Sequence, residues 1–508
     1  ALPCTLFYKR RKERFCVYYS TEVLDFSMIT RRNPRTARIG IFAVAHGTYW
    51  SQFPGLKEKI MGYHHDAVKM VEEMEATVVD YGMIDTSEKA YKVSDVMKGD
   101  RLDLVICNMV TYATSSVFAP IIRDVDVPMI LLAAQPLEEM DYSRACTFMQ
   151  LENDCICSVP EFVGVANRLG KKIRDVVIGT LYNDEIVLSE LKEWCEIAKV
   201  LHDLKGARLG LMGHVMEAMY DMHADPTAVS AAFGCHVPLL EIEDAVTCFE
   251  AVTDKEIQEK KAIIKAEFLM PDPKSDPVTV KLTDEDLQVA AKTAAALDRL
   301  VEKFHLSGLA YYYEGRENTI QRLVSSSFIV GNSILNAEGI PMCGEYDLKT
   351  LVAMLIMDRL DIGGSFAEFH PFGFKENYIL VGHDGPHHMR VAEGKPVLRS
   401  LLKYHGKPGH GASVEFKLKE GPITMLGITQ KADGKFKFVI GEGLSQEGAI
   451  PPTGNTNTRG VFLPDTRTFI KRWVMEGPTH HYALGIGHRA DTIQKIADIL
   501  GIDSVIVR

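Results

Sequence analysis

No stretch of this chain approaches the roughly 20 consecutive apolar residues that a membrane-spanning helix needs. Cysteine is present, ten residues in 508, but never as a CxxC pair. Thiolate-rich zinc and a disulfide scaffold are therefore disfavoured. Cys155 and Cys157 lie too close in sequence to bridge comfortably, and the thiols read as reduced, as in a cytoplasmic protein. Positive charge is also short: 57 Lys and Arg stand against 68 Asp and Glu, a net charge of -11 at pH 7. A phosphate backbone would be repelled, which excludes broad nucleic-acid binding. Missing too are a zinc-protease HExxH, a P-loop and a nucleophile elbow, and neither GRENT nor GHGAS supplies a phosphate fingerprint. What remains is ordinary globular composition, 46% hydrophobic and 25% charged, suited to a small neutral or metal-bound ligand.

A chain of this length exceeds what one core organises, so two or three domains are expected. Residues 1–36 stand apart. They carry Lys9, Arg10, Arg11, Lys12, Arg14, Arg31, Arg32 and Arg35 against three acids. They read as a targeting arm, a nucleic-acid tail or an over-extended reading of the gene. The last is favoured, with no ordered structure expected, because a regular apolar pattern begins only at Arg38 and no apolar region suited to a secretory signal follows the basic cluster.

From Arg38, RIGIFAV reads as a buried strand, followed by helical spacing from Phe53 to Met74 and a strand at Thr77 to Tyr81. LDLVICNM and VPMILLAA are further buried strands, with a helix around Ser116 to Arg123 between them. Continuous apolar runs alternating with helices predict a parallel sheet covered on both faces over 37–204. A second α/β unit, 205–359, starts with the strand-like GARLGLMGHV, then a helix over EAMYDMH. Its long amphipathic helix spans Leu282 to His305, with Thr283 and Asp286 at capping-box spacing, and LSGLAYYY follows as a strand. From 360 to 508, short alternating stretches punctuated by Gly, Asp and Pro predict antiparallel β structure of barrel type, closed by a helix at Asp491 to Leu500. The expected fold is thus α/β: two Rossmann-like parallel-sheet domains and a C-terminal β-rich domain.

Four segments of the second half carry acid/base or hard-metal side chains. In IPMCGEYDLKT, Glu345 stands at the start of a strongly apolar helix; taken alone, Glu345 or Asp347 would simply complement the helix N-terminus. In GGSFAEFHPF, Glu368 lies between two phenylalanines, either turned to solvent or held inside for a purpose. LVGHDGPHHM crowds His383, Asp384, His387 and His388 at a strand end, which is also ordinary loop composition. EGPTHHYALGIGH places His480 and His481 in a turn, and since adjacent side chains usually diverge, at most one is expected to share a site with the others. Two carboxylates with one or two imidazoles suit an octahedral Mn²⁺ or Mg²⁺ site.

Together, in this order, the segments resemble the L-arabinose isomerase family and, more distantly, the L-fucose isomerases. GEYDLKT resembles the family's Gly-Glu-Gly-Asp-x-Lys-Thr, SFAEFHP its Ser-Phe-x-Glu, and GPTHHY its Gly-x-x-His-His before a final helix. The resemblance implies an aldose–ketose isomerase working through an enediol, with Mn²⁺ or another divalent ion on Glu345, Glu368, His383 and His481, and the two glutamates as acid/base pair. The family's Gly-x-His stands here as Gly382-His383-Asp384, which leaves Asp384 as the alternative ligand. GLMGHVMEAMYD resembles a segment whose Met faces the sugar, making Met216, with His214 beside it, a candidate substrate contact. The resemblance also implies a homotrimer or homohexamer in which Tyr49 and Trp50 would face a neighbour's metal, and a sugar as the only partner, with neither nucleic acid nor membrane. One departure matters: the family's Gly-Ser-Gln-His-Leu-Tyr-Gly loop is AHGTYWSQFPG here, so the reaction type is implied but L-arabinose as substrate is not. The alternatives are an isomerase or epimerase of another sugar, and a non-catalytic sugar-binding protein, for which two α/β lobes would also serve.

Overall fold

A computed structural model describes residues 22–272, 274, 282–385, 387–400, 411–451 and 454–508. The Lys9–Arg14 cluster and the first two cysteines lie outside the described residues; the eight cysteines within them are free thiols. Two compact units form, one over Pro34–Lys205 and one combining the described part of the first 33 residues with Gly206–Arg508. No helix among the described residues is long and apolar enough to cross a membrane.

In the first unit, β1 (Arg38–Val44), β2 (Thr77–Ile84), β3 (Leu104–Met109), β4 (Met129–Gln135) and β5 (Asp175–Thr180) form one parallel sheet in the order β2-β1-β3-β4-β5. Every residue of β3 is buried, the reason these runs are continuously apolar rather than alternating. Helices such as Leu56–Glu72 and Val159–Arg168 cover the sheet, and Phe118 stacks on Phe162 at 4.5 Å in its core.

The second unit holds a parallel sheet of β6 (Leu209–Met212), β7 (Leu239–Leu240), β8 (Gly308–Tyr311) and β9 (Met342–Cys343), in the order β7-β6-β8-β9. The long helix Asp284–Phe304 packs on it, and its capping box at Thr283 and Asp286 forms as the spacing predicts. EAMYDMH does not form a helix. Only a short 3₁₀ turn, Tyr220–Met222, occurs there, because the Lys349 ammonium takes the carbonyls of Asp221 and His223, at 2.9 and 3.0 Å, which a helix would turn inward on itself.

β10 (Gly363–Gly373), β11 (Tyr378–Gly382), the separate pair β12 (Val397–Ser400) and β13 (Ala412–Glu415), then β14 (Gly421–Gln430), β15 (Phe436–Gln446), β16 (Thr458–Phe462), β17 (Tyr482–Ile486) and β18 (Asp503–Val507) complete the chain. Six of these close into an antiparallel barrel, β14-β17-β10-β11-β16-β15 and back to β14. The expected closing helix, Ala490–Leu500, is followed by a strand not anticipated: β18 adds to β15 in parallel, outside the ring. The rings of Phe469 and Trp473, from helix Thr466–Met475, join the barrel's apolar interior.

Residues 22–33, set apart by composition, are built into this second unit. Phe26 and Ile29 are buried in its core, the Arg31 guanidinium grips Asp358 through two bonds of 2.8 Å, and Arg32 pairs with Asp298 and Glu338. These bases answer buried or half-buried acids of the same unit, which composition alone cannot reveal.

Candidate metal and active site

The helix Leu348–Arg359 is buried at every residue and organises the site at both its ends. At its N-terminus, the turn from β9 carries Glu345 and Tyr346 at φ 60° and 64°, a left-handed backbone that costs of order 1–3 kcal/mol per residue and is kept where the surroundings impose it. Tyr346 N–H donates to the Tyr311 carbonyl at 3.0 Å, holding the turn against β8. Asp347 then caps the helix, accepting from Thr350 N–H at 3.1 Å and from its hydroxyl at 2.7 Å. At the other end Gly363 and Gly364, at φ 88° and 104°, reverse the chain into β10; a Cβ on Gly364 would lie 2.9 Å from the Met354 carbonyl. That close reversal runs β10 back alongside the helix and so carries Glu368 toward its N-terminal end.

Three of the predicted side chains meet at Glu345. His481 Nε2 lies 3.7 Å from Glu345 Oε2, and His383 Nε2 lies 3.8 Å from Oε1. His481 Nδ1 donates to Asp347 Oδ2 at 3.3 Å and His383 Nδ1 to the Asp384 carbonyl at 2.5 Å. Each ring therefore has its proton on Nδ1, and each presents the Nε2 lone pair to a carboxylate. Lone pairs facing a carboxylate repel unless a cation or a proton stands between them, and a carboxylate or carbonyl accepting from the far nitrogen is how imidazole ligands to metals are oriented. His481 Nε2 is buried without a hydrogen-bond partner. The donor set of one carboxylate and two imidazoles thus fits a divalent ion of intermediate hardness. Of the alternatives at 383 and 384, the His383 ring joins this group, while Asp384 supplies its backbone oxygen to that ring. Phe366 walls the group, its ring 4.5 Å from that of His383 and 4.3 Å from that of His481.

Glu368 forms a second group with His480 and the shared His481, all ligating atoms lying within 4.8 Å of one another. His480 and His481 thus converge rather than diverge. They precede β17 in irregular chain, where the strand's alternation does not apply, and their rings lie 3.9 Å apart. His370, two residues along β10, brings Nε2 to 3.7 Å from Glu368.

Burial pushes the His383 pKa well below the usual histidine value, and the neighbouring His481 adds to it, so the ring is neutral. Burial alone would lower His481 too, but the hydrogen bond to Asp347 and the charges of Asp347, Glu345 and Glu368 outweigh it and raise its pKa. Asp347, fully enclosed, would be raised by burial; His481 and the charge of Lys349 keep it below its usual value instead.

Sequence reading passed over Asp221 and Lys349. Asp221 Oδ2 accepts from the His480 backbone N–H at 2.9 Å and from Nδ1 at 2.6 Å. Lys349, buried inside an apolar helix, was the one available signal, since a buried ammonium needs acceptors; it finds them in the loop that also holds Met216. Met216 is half-buried there, its carbonyl accepting from His223 Nε2 at 3.2 Å. His214 is exposed, its ring 4.1 Å from that of Tyr312. Tyr49 belongs to the other compact unit, in the short helix Tyr49–Gln52 that follows β1, where its ring meets His46 at 5.3 Å and Tyr112 at 6.4 Å; Trp50 donates to Asp85 at 2.8 Å.

With this geometry established, the resemblance to known proteins is informative. The chain is 24% identical over 414 residues to the L-arabinose isomerase of Nocardioides sp., covering 79% of this chain and 80% of that protein. It is 21% identical over 473 residues to the L-arabinose isomerase of Oceanobacillus iheyensis, covering 88% and 96%. These are distant relatives, and the similarity holds at the level of the family. No protein-family model matches the chain. Among solved structures, a putative two-component response regulator/GGDEF domain protein aligns with a TM-score of 0.21 at 10% identity, over 63% of this chain and 98% of that one, too weak to bear on fold or function.

Proposed function

We propose that this protein is a divalent-metal-dependent isomerase interconverting an aldose and its ketose, with Glu345, Glu368, His383 and His481 holding the ion. The observation that carries the reading is the convergence of these four residues, from segments spread between positions 345 and 481, into two adjoining groups that share His481. The extended similarity to proteins named L-arabinose isomerase supports the same reaction class. Manganese is the preferred ion, since carboxylate oxygen mixed with imidazole suits it.

The bound ion would polarise the sugar carbonyl and the adjacent hydroxyl. The protein's own residues do the rest. One glutamate carboxylate withdraws the proton from C2 and the proton is returned at C1, while a second transfer moves the hydroxyl proton from O2 to O1; the intermediate is the enediol. Phe366 and the buried faces of His383 and His481 exclude water from one side. Neutral His383 keeps its Nε2 lone pair available, and Asp347 fixes the His481 ring. The AHGTYWSQFPG loop, with Tyr49 and Trp50, is taken to contact sugar hydroxyls at a neighbour's site in a trimer or hexamer, with Met216 and His214 lining the other side; light scattering on the purified protein measures that assembly.

The test is an aldose-to-ketose conversion assay on chelator-stripped protein across pentoses, hexoses and 6-deoxyhexoses, with and without Mn²⁺. Manganese-restored conversion of any of these sugars is expected. Metal binding with no turnover of any aldose would contradict the reading.

A further inference from the structure

Asp221 lies in the loop between β6 and the helix Pro226–Phe233, outside all four segments that form the site, and nothing in the proposed chemistry calls on it. Its geometry is nevertheless specific. One oxygen, Oδ2, accepts both the backbone N–H of His480 at 2.9 Å and its ring Nδ1–H at 2.6 Å. A carboxylate can only accept, so Nδ1 carries the proton and Nε2 is the ring atom left for other partners. The same carboxylate thereby fixes the Thr479–His480 peptide, one residue before His481.

The loop itself is fastened from behind. Lys349, in the first turn of the helix that begins beside Glu345, donates its buried ammonium to the carbonyls of Asp221 and His223 at 2.9 and 3.0 Å. One continuous chain of bonds therefore runs from the Glu345 turn through Lys349 and Asp221 to His480 and His481. The side chains of Asp221 and His480 are 43% and 39% exposed, so the core does not need the pair in order to pack. A contact this exposed contributes little to stability, which leaves positioning as what it can do.

Resting on the isomerase reading, we propose that Asp221 is a positioning residue: it sets the His480–His481 turn for metal binding and makes the 213–223 loop, with Met216, move together with the metal ligands. Outer partners of this kind govern metal affinity by about 10–100-fold. Mn²⁺ affinity of the full-length stripped protein, read by electron paramagnetic resonance of the free ion, is the primary measurement. Asp221→Ala is expected to weaken Mn²⁺ binding by about 10-fold or more without loss of folded structure by circular dichroism. Asp221→Asn keeps an oxygen acceptor for both N–H groups and is expected to stay within about threefold of wild type, a rescue that loss of a merely structural contact would not give. If Asp221→Ala does not fold, Asp221→Lys, which an exposed position accommodates, carries the same expectation. Wild-type Mn²⁺ affinity in the folded Ala or Lys variant overturns the proposal. Sugar turnover, measured in parallel, separates the two claims. A wild-type protein that converts no sugar while the affinity loss persists removes the isomerase reading and leaves the positioning role; active wild type with unchanged variants does the reverse.

Discussion

Glu345 and Glu368 have the same side chain in unlike surroundings. The first is almost buried, in a left-handed turn, between two imidazole lone pairs; the second sits on a barrel strand with its side chain 32% exposed. Removing charge without changing shape separates them from the fold. Glu345→Gln and Glu368→Gln are each expected to lower kcat by about 10²–10⁴ with unchanged circular dichroism, the range general acid–base groups supply; near-normal turnover in both would sink the assigned chemistry. His481 gives a second prediction. Its pKa is raised in the metal-free protein, so at low pH a proton competes for the ring, and Mn²⁺ affinity rises as the pH is raised through that pKa, with net proton release on binding. Calorimetry in buffers of different ionisation enthalpy reads the released proton; pH-independent affinity would mean that His481 is no ligand. At this scale, the residue types and their order along the chain were legible in the sequence, since carboxylates beside glycines and paired histidines stand out from their surroundings. Asp221 and Lys349 were not, because their partners lie 259 and 128 positions away and no local pattern encodes such a pairing.

Among the elements, the helix Leu348–Arg359 links the site to the N-terminal segment. Asp347 caps its start while holding His481, and Asp358 near its end is buried with Arg31, Arg359 and His388 around it. Burial would raise the Asp358 pKa, but Arg359, Arg31 and His388 hold it far below the usual carboxylate range. Arg31→Ala leaves part of that buried charge unmatched and is expected to cost about 1–3 kcal/mol in urea unfolding, with Arg31→Lys recovering less than half because an ammonium cannot form the bidentate grip. An unchanged midpoint for Arg31→Ala would mean that residues 22–33 are not fastened to this unit as described. Elements with a strong pattern, the continuous apolar runs of β1 and β3 and the helical periodicity after the Thr283 cap, could be read from the sequence to within a few residues. EAMYDMH could not: its residues have adequate helical propensity, and a lysine from a remote helix takes the carbonyls instead. β18 was missed because five residues after a helix carry too little pattern to distinguish a strand from a tail.

For the molecule as a whole, an α/β chain with a parallel sheet in each unit and a C-terminal antiparallel barrel follows the architecture expected from sequence. Alternation identifies strands but not their neighbours, so the ring order, with β10 hydrogen-bonded to β17 more than a hundred residues later, emerges only from the fold. The Pro34–Lys205 unit has its own sheet and its own core around Phe42, Phe118 and Phe162. Expressed alone, it is expected to unfold cooperatively in urea and to show no specific Mn²⁺ binding, since Glu345, Glu368, His383 and His481 all lie in the other unit; tight Mn²⁺ binding by this fragment would relocate the metal site. The central claim is that one ion, held by those four residues, enables sugar isomerisation. It is tested most directly by titrating the stripped protein with Mn²⁺ while following bound ion and aldose–ketose conversion in the same sample. Conversion that rises in proportion to bound ion and levels off at about one per chain is the predicted result. Full conversion by the stripped protein, or saturating Mn²⁺ without conversion of any aldose, would contradict it.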